Sequence, residues 1–274
     1  MKKILLLFFL LTAFACNAQE IRVMSYNIRF DNPGDSINAW PNRKEKVFQL
    51  LKKYDPDVIG VQEALKHQLD DIITALPGYA YIGVGRDDGK TKGEYSAILY
   101  KKGKFSALDQ NTYWLSETPD VPGSKNWDAA ITRIVTWGKF RELTSKKDFL
   151  LINTHFDHIG TEARRNSARI IKERLKTTAE LPVVVTGDFN CTREDPPYSV
   201  MTSDNGLRLI DPAPPEPPGT YCNFGVNSMV CNPIDYIFHS GQWLSREYKV
   251  ISDHDGKNYP SDHLPVMVEL TIKK

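Results

Sequence analysis

The sequence predicts an α/β protein in which two β-sheets pack face to face with helices outside them. Three observations predict it. Short apolar, β-branched segments far outnumber helical ones, a balance that suits stacked sheets with a few covering helices. Several of those segments end abruptly in acids, amides or imidazoles. No internal repeat or low-complexity linker divides the chain, so one domain is expected over residues 19–274.

The elements follow in order. Ile21 to Arg29 alternates as a strand. Val47, Leu50, Leu51 and Tyr54 fall at helical spacing after Pro41-Asn42, which suits a helix start. Val58 to Val61 reads as a short buried strand and His67 to Leu76 as a second helix. Tyr79 to Val84, Ser96 to Lys101, Ile131 to Phe140 and Phe149 to Thr154 read as strands. Lys101-Lys102-Gly103-Lys104 reads as a hairpin turn. A long amphipathic helix is expected from Thr161 to Thr178, with Ala168, Ile171 and Leu175 on one side. Strands return at Val183 to Thr186, Ile234 to His239 and Leu264 to Ile272, and Pro212 to Pro218 forms a stiff loop before the last two.

Composition narrows the class. Of 274 residues, 41% are hydrophobic and 25% charged, which excludes disordered and collagen-like chains. Met1-Lys2-Lys3, the apolar run Ile4 to Leu11 and the small residues through Ala18 have the form of a secretory signal peptide over residues 1–18. Export to a periplasm or beyond is expected. Release after Ala18 and lipid attachment at Cys16 are the two endings; Ala13, where a lipidation signal would place leucine, favours release. The whole chain carries 35 basic and 34 acidic residues, and removing Lys2 and Lys3 leaves a balance of about −1. That balance gives no support for a strongly basic nucleic-acid binder. No later stretch approaches the roughly 20 apolar residues that span a bilayer. An oxidising compartment permits a Cys222–Cys231 bridge, with two buried thiols as the alternative; Cys191 has no evident mate.

The chemistry lies at strand ends. Asn27 closes the first strand, and Val58-Ile59-Gly60-Val61 runs into Gln62-Glu63. Leu150 to Asn153 runs into Thr154-His155-Phe156-Asp157-His158, and Val183 to Thr186 into Gly187-Asp188-Phe189-Asn190. Ser261-Asp262-His263 immediately precedes the last strand. A core strand that ends in a carboxylate or imidazole holds that group at the sheet rim on a rigid support. One strand-end Asp is ordinarily a turn residue; five such rims in one chain point to a site.

The ordered set Asn27, Gln62-Glu63, Thr154-His155, Gly187-Asp188-Phe189-Asn190, Ile234-Asp235-Tyr236 and Ser261-Asp262-His263 resembles the endonuclease/exonuclease/phosphatase superfamily. That superfamily includes type I deoxyribonucleases, AP endonucleases, deadenylases, neutral sphingomyelinases and inositol-polyphosphate 5-phosphatases. The resemblance spans nearly the whole chain after the leader. It implies a four-layer α/β/β/α sandwich with two mostly antiparallel sheets. It also implies a divalent metal, usually Mg²⁺ with Mn²⁺ as substitute, and hydrolysis of phosphoesters, phosphodiesters foremost.

The residue types agree with that chemistry. Glu63, Asn27 and Asp262 offer the oxygen ligands a hard cation takes, and no Cys/His cluster has zinc spacing. Asp188 is expected to orient and deprotonate the attacking water, with Asn190 holding the geometry. His263, paired with Asp235, and His155 are expected on the phosphoryl oxygens. Five further residues have two readings each. Arg86 binds phosphate or belongs to an Asp-Gly turn. Asp157 and His158 contact substrate or form loop structure. Arg165, at a helix start, contacts substrate or is solvated. Trp40 stacks on a base or sugar, or covers the core. A phosphoester is the expected partner, nucleic acid among the alternatives, with no obligate protein partner and a monomeric state. Nuclease, lipid phosphodiesterase and non-catalytic binder are the competing classes; the intact acid, amide and imidazole set argues against the binder.

Overall fold

A computed structural model describes residues 20–178, 180–227 and 231–273; the expected leader and Cys16 lie outside them. The chain runs β1 (Glu20–Asn27), a 3-10 turn (Pro33–Asn38), α1 (Trp40–Tyr54), β2 (Val58–Ala64), α2 (Lys66–Ala75), β3 (Tyr79–Ile82) and β4 (Tyr95–Lys101). It continues through β5 (Phe105–Trp114), β6 (Ile134–Glu142), β7 (Asp148–His155), α3 (Thr161–Leu175), β8 (Val183–Asp188), α4 (Pro196–Thr202), β9 (Leu209–Ile210), β10 (Asp235–Ser240), β11 (Trp243–Val250) and β12 (Val266–Ile272).

Two six-stranded sheets form, in the orders β11-β12-β1-β2-β4-β3 and β5-β6-β7-β8-β10-β9. Each has one parallel pair, β1/β2 and β7/β8, and is otherwise antiparallel. The pleat sorts side chains by alternate residue. Val23 and Val58 of the first sheet meet Leu151, Val184 and Ile237 of the second in an apolar core between the sheets. Met24, Tyr26, Ile59 and Val61 face outward under α1 and α2. Leu150, Ile152, Val183 and Val185 face outward under α3 and α4. The result is the four-layer sandwich.

The helices form for local reasons. Pro41 fits the first turn of α1, where its missing N–H costs nothing, and Asp55, left-handed at φ 45°, ends it. The first turn of α3 is capped from a distance: Asp128 accepts from the backbone N–H groups of Glu162 and Ala163.

Toward one rim the inner face turns polar. Gln62 donates to Asn153 at 2.7 Å and to Ser25 at 3.2 Å, Thr186 donates to Asn153 at 3.0 Å, and Asn153 donates to the carbonyls of Val61 and Ala97. This buried layer bridges the two sheets. Gly60 permits their approach, because a Cβ there would stand 2.0 Å from Thr186 Oγ1. One pleat further along, Asn27, His155 and Asp188 emerge at the rim.

The structure departs from the sequence reading in a few places. The exposed strands β5 and β11, the short β9 and the proline-initiated α4 were not expected. Lys101 to Lys104 is a tight turn but not a hairpin, since β4 and β5 belong to different sheets. It lies at the end of the sandwich opposite the polar rim, with Lys101 and Lys104 paired to Asp57.

Candidate active site

Alternation on β1, β7 and β8 aims Asn27, His155 and Asp188 between the sheets. Glu63 would fall on the outer face by the same rule. A register shift against β4 between Val61 and Ala64, with Glu63 itself at φ +63°, turns it to the rim instead. Arg29 and Asn190 also hold positive φ. Backbone strain of this kind at several residues of one cleft is characteristic of functional sites.

Asp188 is the centre of the cluster. Its Oδ2 accepts from Asn27 Nδ2 at 3.0 Å and lies 3.3 Å from His155 Nε2 and 3.6 Å from His263 Nε2. Its Oδ1 accepts from the backbone N–H of Asn190. The Asn190 amide reaches His155 Nε2 at 3.1 Å and donates to the Phe156 carbonyl. His263 Nδ1 stands 2.8 Å from Asp235 Oδ2, and the ring of Tyr221 packs against His263 at 4.9 Å.

Burial, then the neighbouring Asp235, raises the Asp188 carboxyl well above the ordinary carboxylate range. Burial works against protonation of His263, but Asp235 and Asp188 outweigh it and raise its pKa well above the usual imidazole value. Burial and then Arg133 push His155 the other way, keeping it neutral. Two histidines, one neutral and one charged, thus flank one carboxylate.

The expected metal ligands can be tested on their donor chemistry. Glu63 Oε2 and Asp262 Oδ2 each lie 3.8 Å from the Arg29 guanidinium, so a cation already stands between these two carboxylates. Burial first, with the Glu63 charge adding to it, raises Asp262. This pair fits a hard divalent cation. Asn27 is different. It presents its amide nitrogen to Glu63 at 3.1 Å and to Asp188, while its oxygen accepts from the Arg29 N–H. In this arrangement it is a donor, and ligating a metal would require the amide to turn over. Asp188, Asp235 and His263 also bring ligand atoms within 4.8 Å of one another. The close Asp235–His263 contact identifies that trio as a carboxylate–imidazole pair rather than a metal cage.

The cluster opens into a cleft of about 560 Å³ lined by Glu63, His155, Asp188, Asn190, Asp262 and His263, with Asp235 behind His263. His158 lines it too, accepting from Arg133 Nη2 at 3.1 Å. Four expected substrate contacts are placed elsewhere. Arg86 is locked on Glu94 by two hydrogen bonds of 2.7 and 2.8 Å. Asp157 is buried and accepts the N–H groups of Ile131, Ile159 and Gly160, which makes it loop structure. Arg165 pairs with Glu162 on α3 and faces a different groove. Trp40 is buried against Phe48 with its indole N–H on Asp71, so no face is open for stacking.

The cleft also contains residues the sequence reading missed: Arg29, Glu94, Arg133 and Tyr221. Arg29 carried a usable signal, since it lies two positions beyond Asn27 on the same strand end. Arg133 carried none, being a lone arginine at the head of an apolar strand.

Two stacked sheets with acids and imidazoles gathered at one rim define a phosphoesterase-type sandwich. Residues 24–263 match the model of the Endonuclease/Exonuclease/phosphatase family, and the chain belongs to that family. Its enzymes are phosphoesterases and generally depend on a divalent metal. The structure is similar to that of an endonuclease/exonuclease/phosphatase from Bacteroides vulgatus, 40% identical, with a TM-score of 0.88 over 93% of this chain and 100% of the other. It is similar also to a mannosyl-6-phosphatase from Bacteroides thetaiotaomicron, 41% identical, with a TM-score of 0.85 over 92% of this chain and 100% of the other. Among curated proteins, one from Acanthamoeba polyphaga mimivirus is 29% identical over 69% of this chain and 74% of its own length. The chain spans only 30% and 51% of the next two curated relatives.

Proposed function

We propose that this protein hydrolyses small phosphate monoesters, of the sugar-phosphate class, with a divalent metal, Mg²⁺ foremost and Mn²⁺ as substitute. The charge of the cleft carries this reading. Glu63, Glu94, Asp188, Asp195 and Asp262 line it against Arg29, Arg133 and the charged His263, with Glu94 paired to Arg86. An acidic bowl repels an extended polyanion, which gains affinity by neutralising phosphates with several Lys or Arg residues. It suits a compact ester that meets a bound cation. The 41% likeness to a mannosyl-6-phosphatase supports the same narrowing, from the phosphodiesters first expected to monoesters. Export remains part of the proposal, supported by the leader pattern and by the Cys222–Cys231 bridge, which suits an oxidising compartment.

The chain's own groups divide the work. Asp188 accepts the proton of an attacking water, whose oxygen forms the new bond to phosphorus as the bond to the sugar oxygen breaks. The proton returns to the departing alcohol through solvent, so ester and water give alcohol and inorganic phosphate. The charged His263 donates from Nε2 to a phosphoryl oxygen, held in orientation by Asp235. Neutral His155, whose Nε2 accepts from the Asn190 amide and lies 3.3 Å from Asp188 Oδ2, holds Asp188 and Asn190 in place. A metal on Glu63 and Asp262 would supply Lewis-acid stabilisation of the developing oxygen charge.

The test is a screen of the purified protein on mannose 6-phosphate, inositol phosphates, sphingomyelin, bis-nitrophenyl phosphate, RNA and plasmid DNA. The highest kcat/KM is expected on the sugar phosphate. EDTA should abolish turnover, and Mg²⁺ or Mn²⁺ should restore it. Glu63→Gln should lower kcat/KM by about 10²–10³, the range for losing one group of a charge clamp on a phosphoryl group. Full turnover in chelator, or faster cleavage of a diester, would overturn the reading.

A further inference from the structure

Arg133 has no counterpart in the machinery described so far. It lies at the mouth of β6, is only 4% exposed, and lines the cleft. Nη2 donates to His158, while Nε and Nη1 are buried without a hydrogen-bond partner among the described residues. The nearest carboxylate, Asp157, is 3.7 Å from Nε, beyond hydrogen-bond reach, and its oxygens are taken by backbone N–H groups. Glu94, the next acid, is held by both arms of Arg86.

A buried guanidinium with two idle donors, and only a 3.7 Å ion pair to an Asp157 already satisfied by backbone N–H groups, is costly unless something anionic completes it. The burial is also deliberate in its construction. Asp157 ties the 131–133 segment to the start of α3 through the Ile131, Ile159 and Gly160 N–H groups, which fixes the approach to Arg133.

We infer that Arg133 binds a non-bridging oxygen of the phosphoryl group and selects monoesters over diesters. The inference rests on the proposed phosphoesterase reading. A monoester dianion carries one more anionic oxygen than a diester. In a cleft where acids outnumber arginines, that extra charge needs its own cation, and Arg133 is the cleft arginine with two donors left unpartnered. Arg29 cannot serve as well, because two of its nitrogens hold Asp35. A diester presents an alkoxy group at the same place, which the guanidinium cannot use and which would bury its charge unpaired.

The experiment compares wild type with Arg133→Met and Arg133→Lys on p-nitrophenyl phosphate and bis-nitrophenyl phosphate in Mg²⁺, with calorimetric binding of inorganic phosphate alongside. For Arg133→Met, kcat/KM on the monoester should fall by about 10²–10³, as for loss of one oxyanion donor. The diester should lose much less, and phosphate binding should weaken at least about tenfold, the loss of one charge-assisted contact. Arg133→Lys should recover part of the monoester rate through its charge but not all of it, lacking the planar donor set. If Arg133→Met does not fold by circular dichroism, the monoester-to-diester ratio of Arg133→Lys decides. Equal losses on both esters with unchanged phosphate affinity would overturn the inference and leave the phosphoesterase reading standing. A wild type that prefers the diester would instead overturn the monoester reading itself.

Discussion

At the scale of single residues, the site depends on one carboxylate held between two imidazoles, one neutral and one charged. Asp188 is buried, bonded to Asn27 and to the Asn190 backbone, and close to both rings. Asp188→Asn keeps the shape and removes the base; His263→Ala removes the cationic donor. Each should lower kcat by about 10²–10⁴, the usual range for a positioned acid–base group. The double variant should lose far less than the product, because both groups act on one transition state. Steady-state kinetics of the two singles and the double tests this, and wild-type kcat in Asp188→Asn would remove Asp188 from the chemistry. These residues were legible in the sequence because Asp188 ends an apolar strand and His263 just precedes one. Arg133, Glu94 and Tyr221 were not, because nothing local distinguishes a buried, cleft-facing arginine or tyrosine from a solvated one. Trp40 failed in the opposite sense: its ring carries the right chemistry for stacking, but Phe48 and Asp71 absorb it.

At the scale of elements, the apolar strands were legible from their β-branched runs and the long helix from its spacing. The strands β5 and β11 escaped notice because their middles are exposed and polar, so no buried face imposes an alternation. Two consequences follow from how strands meet. Gly60 lies under the site where β2 approaches β8, and a methyl there would collide with Thr186 and Asn153. Gly60→Ala should therefore cost about 1–3 kcal/mol, the usual penalty of overpacking. A fall in melting temperature of several degrees by circular dichroism would show it, and an unchanged melt would mean the sheets can part freely. At the opposite end, Asp57 ties β1 to the β4–β5 turn through the Arg22 N–H, Lys104 and Lys101. Burial pushes its pKa up, but those three partners outweigh burial and lower it. A depressed folded pKa means the carboxylate contributes stability above its unfolded pKa of about 3.9, and that contribution is lost as pH falls through the folded value. Urea midpoints measured from neutral pH down to about pH 3 should fall in wild type. Asp57→Asn should start lower and show a shallower decline; parallel curves would exclude Asp57 as a contributor.

At the scale of the whole molecule, the question is which anions the surface will accept. Net charge hides local fields, so the basic residues must be placed one at a time. The 101–104 turn lies at the far end of the sandwich, with Lys101 and Lys104 paired to Asp57. Arg43 is buried, with its donors on the carbonyls of Ile28, Arg29, Asn38 and Pro260. Lys44 faces Asp71, Arg86 holds Glu94, Arg164 donates to the Asp157 carbonyl, and Arg165 pairs with Glu162. None of these basic groups lines the cleft, whereas five carboxylates do, of which Glu94 is paired with Arg86. Duplex DNA would thus meet an acidic mouth with no basic track leading to it. Plasmid nicking should be slow compared with monoester turnover, and KM for duplex DNA should be high and change little between about 50 and 200 mM salt. A protein that neutralises roughly six phosphates would lose on the order of 10³ in affinity over that range. Such a steep loss, accompanied by rapid nicking, would show that the acidic cleft is bridged by contacts made elsewhere on the surface, and the preference for small esters would have to be abandoned.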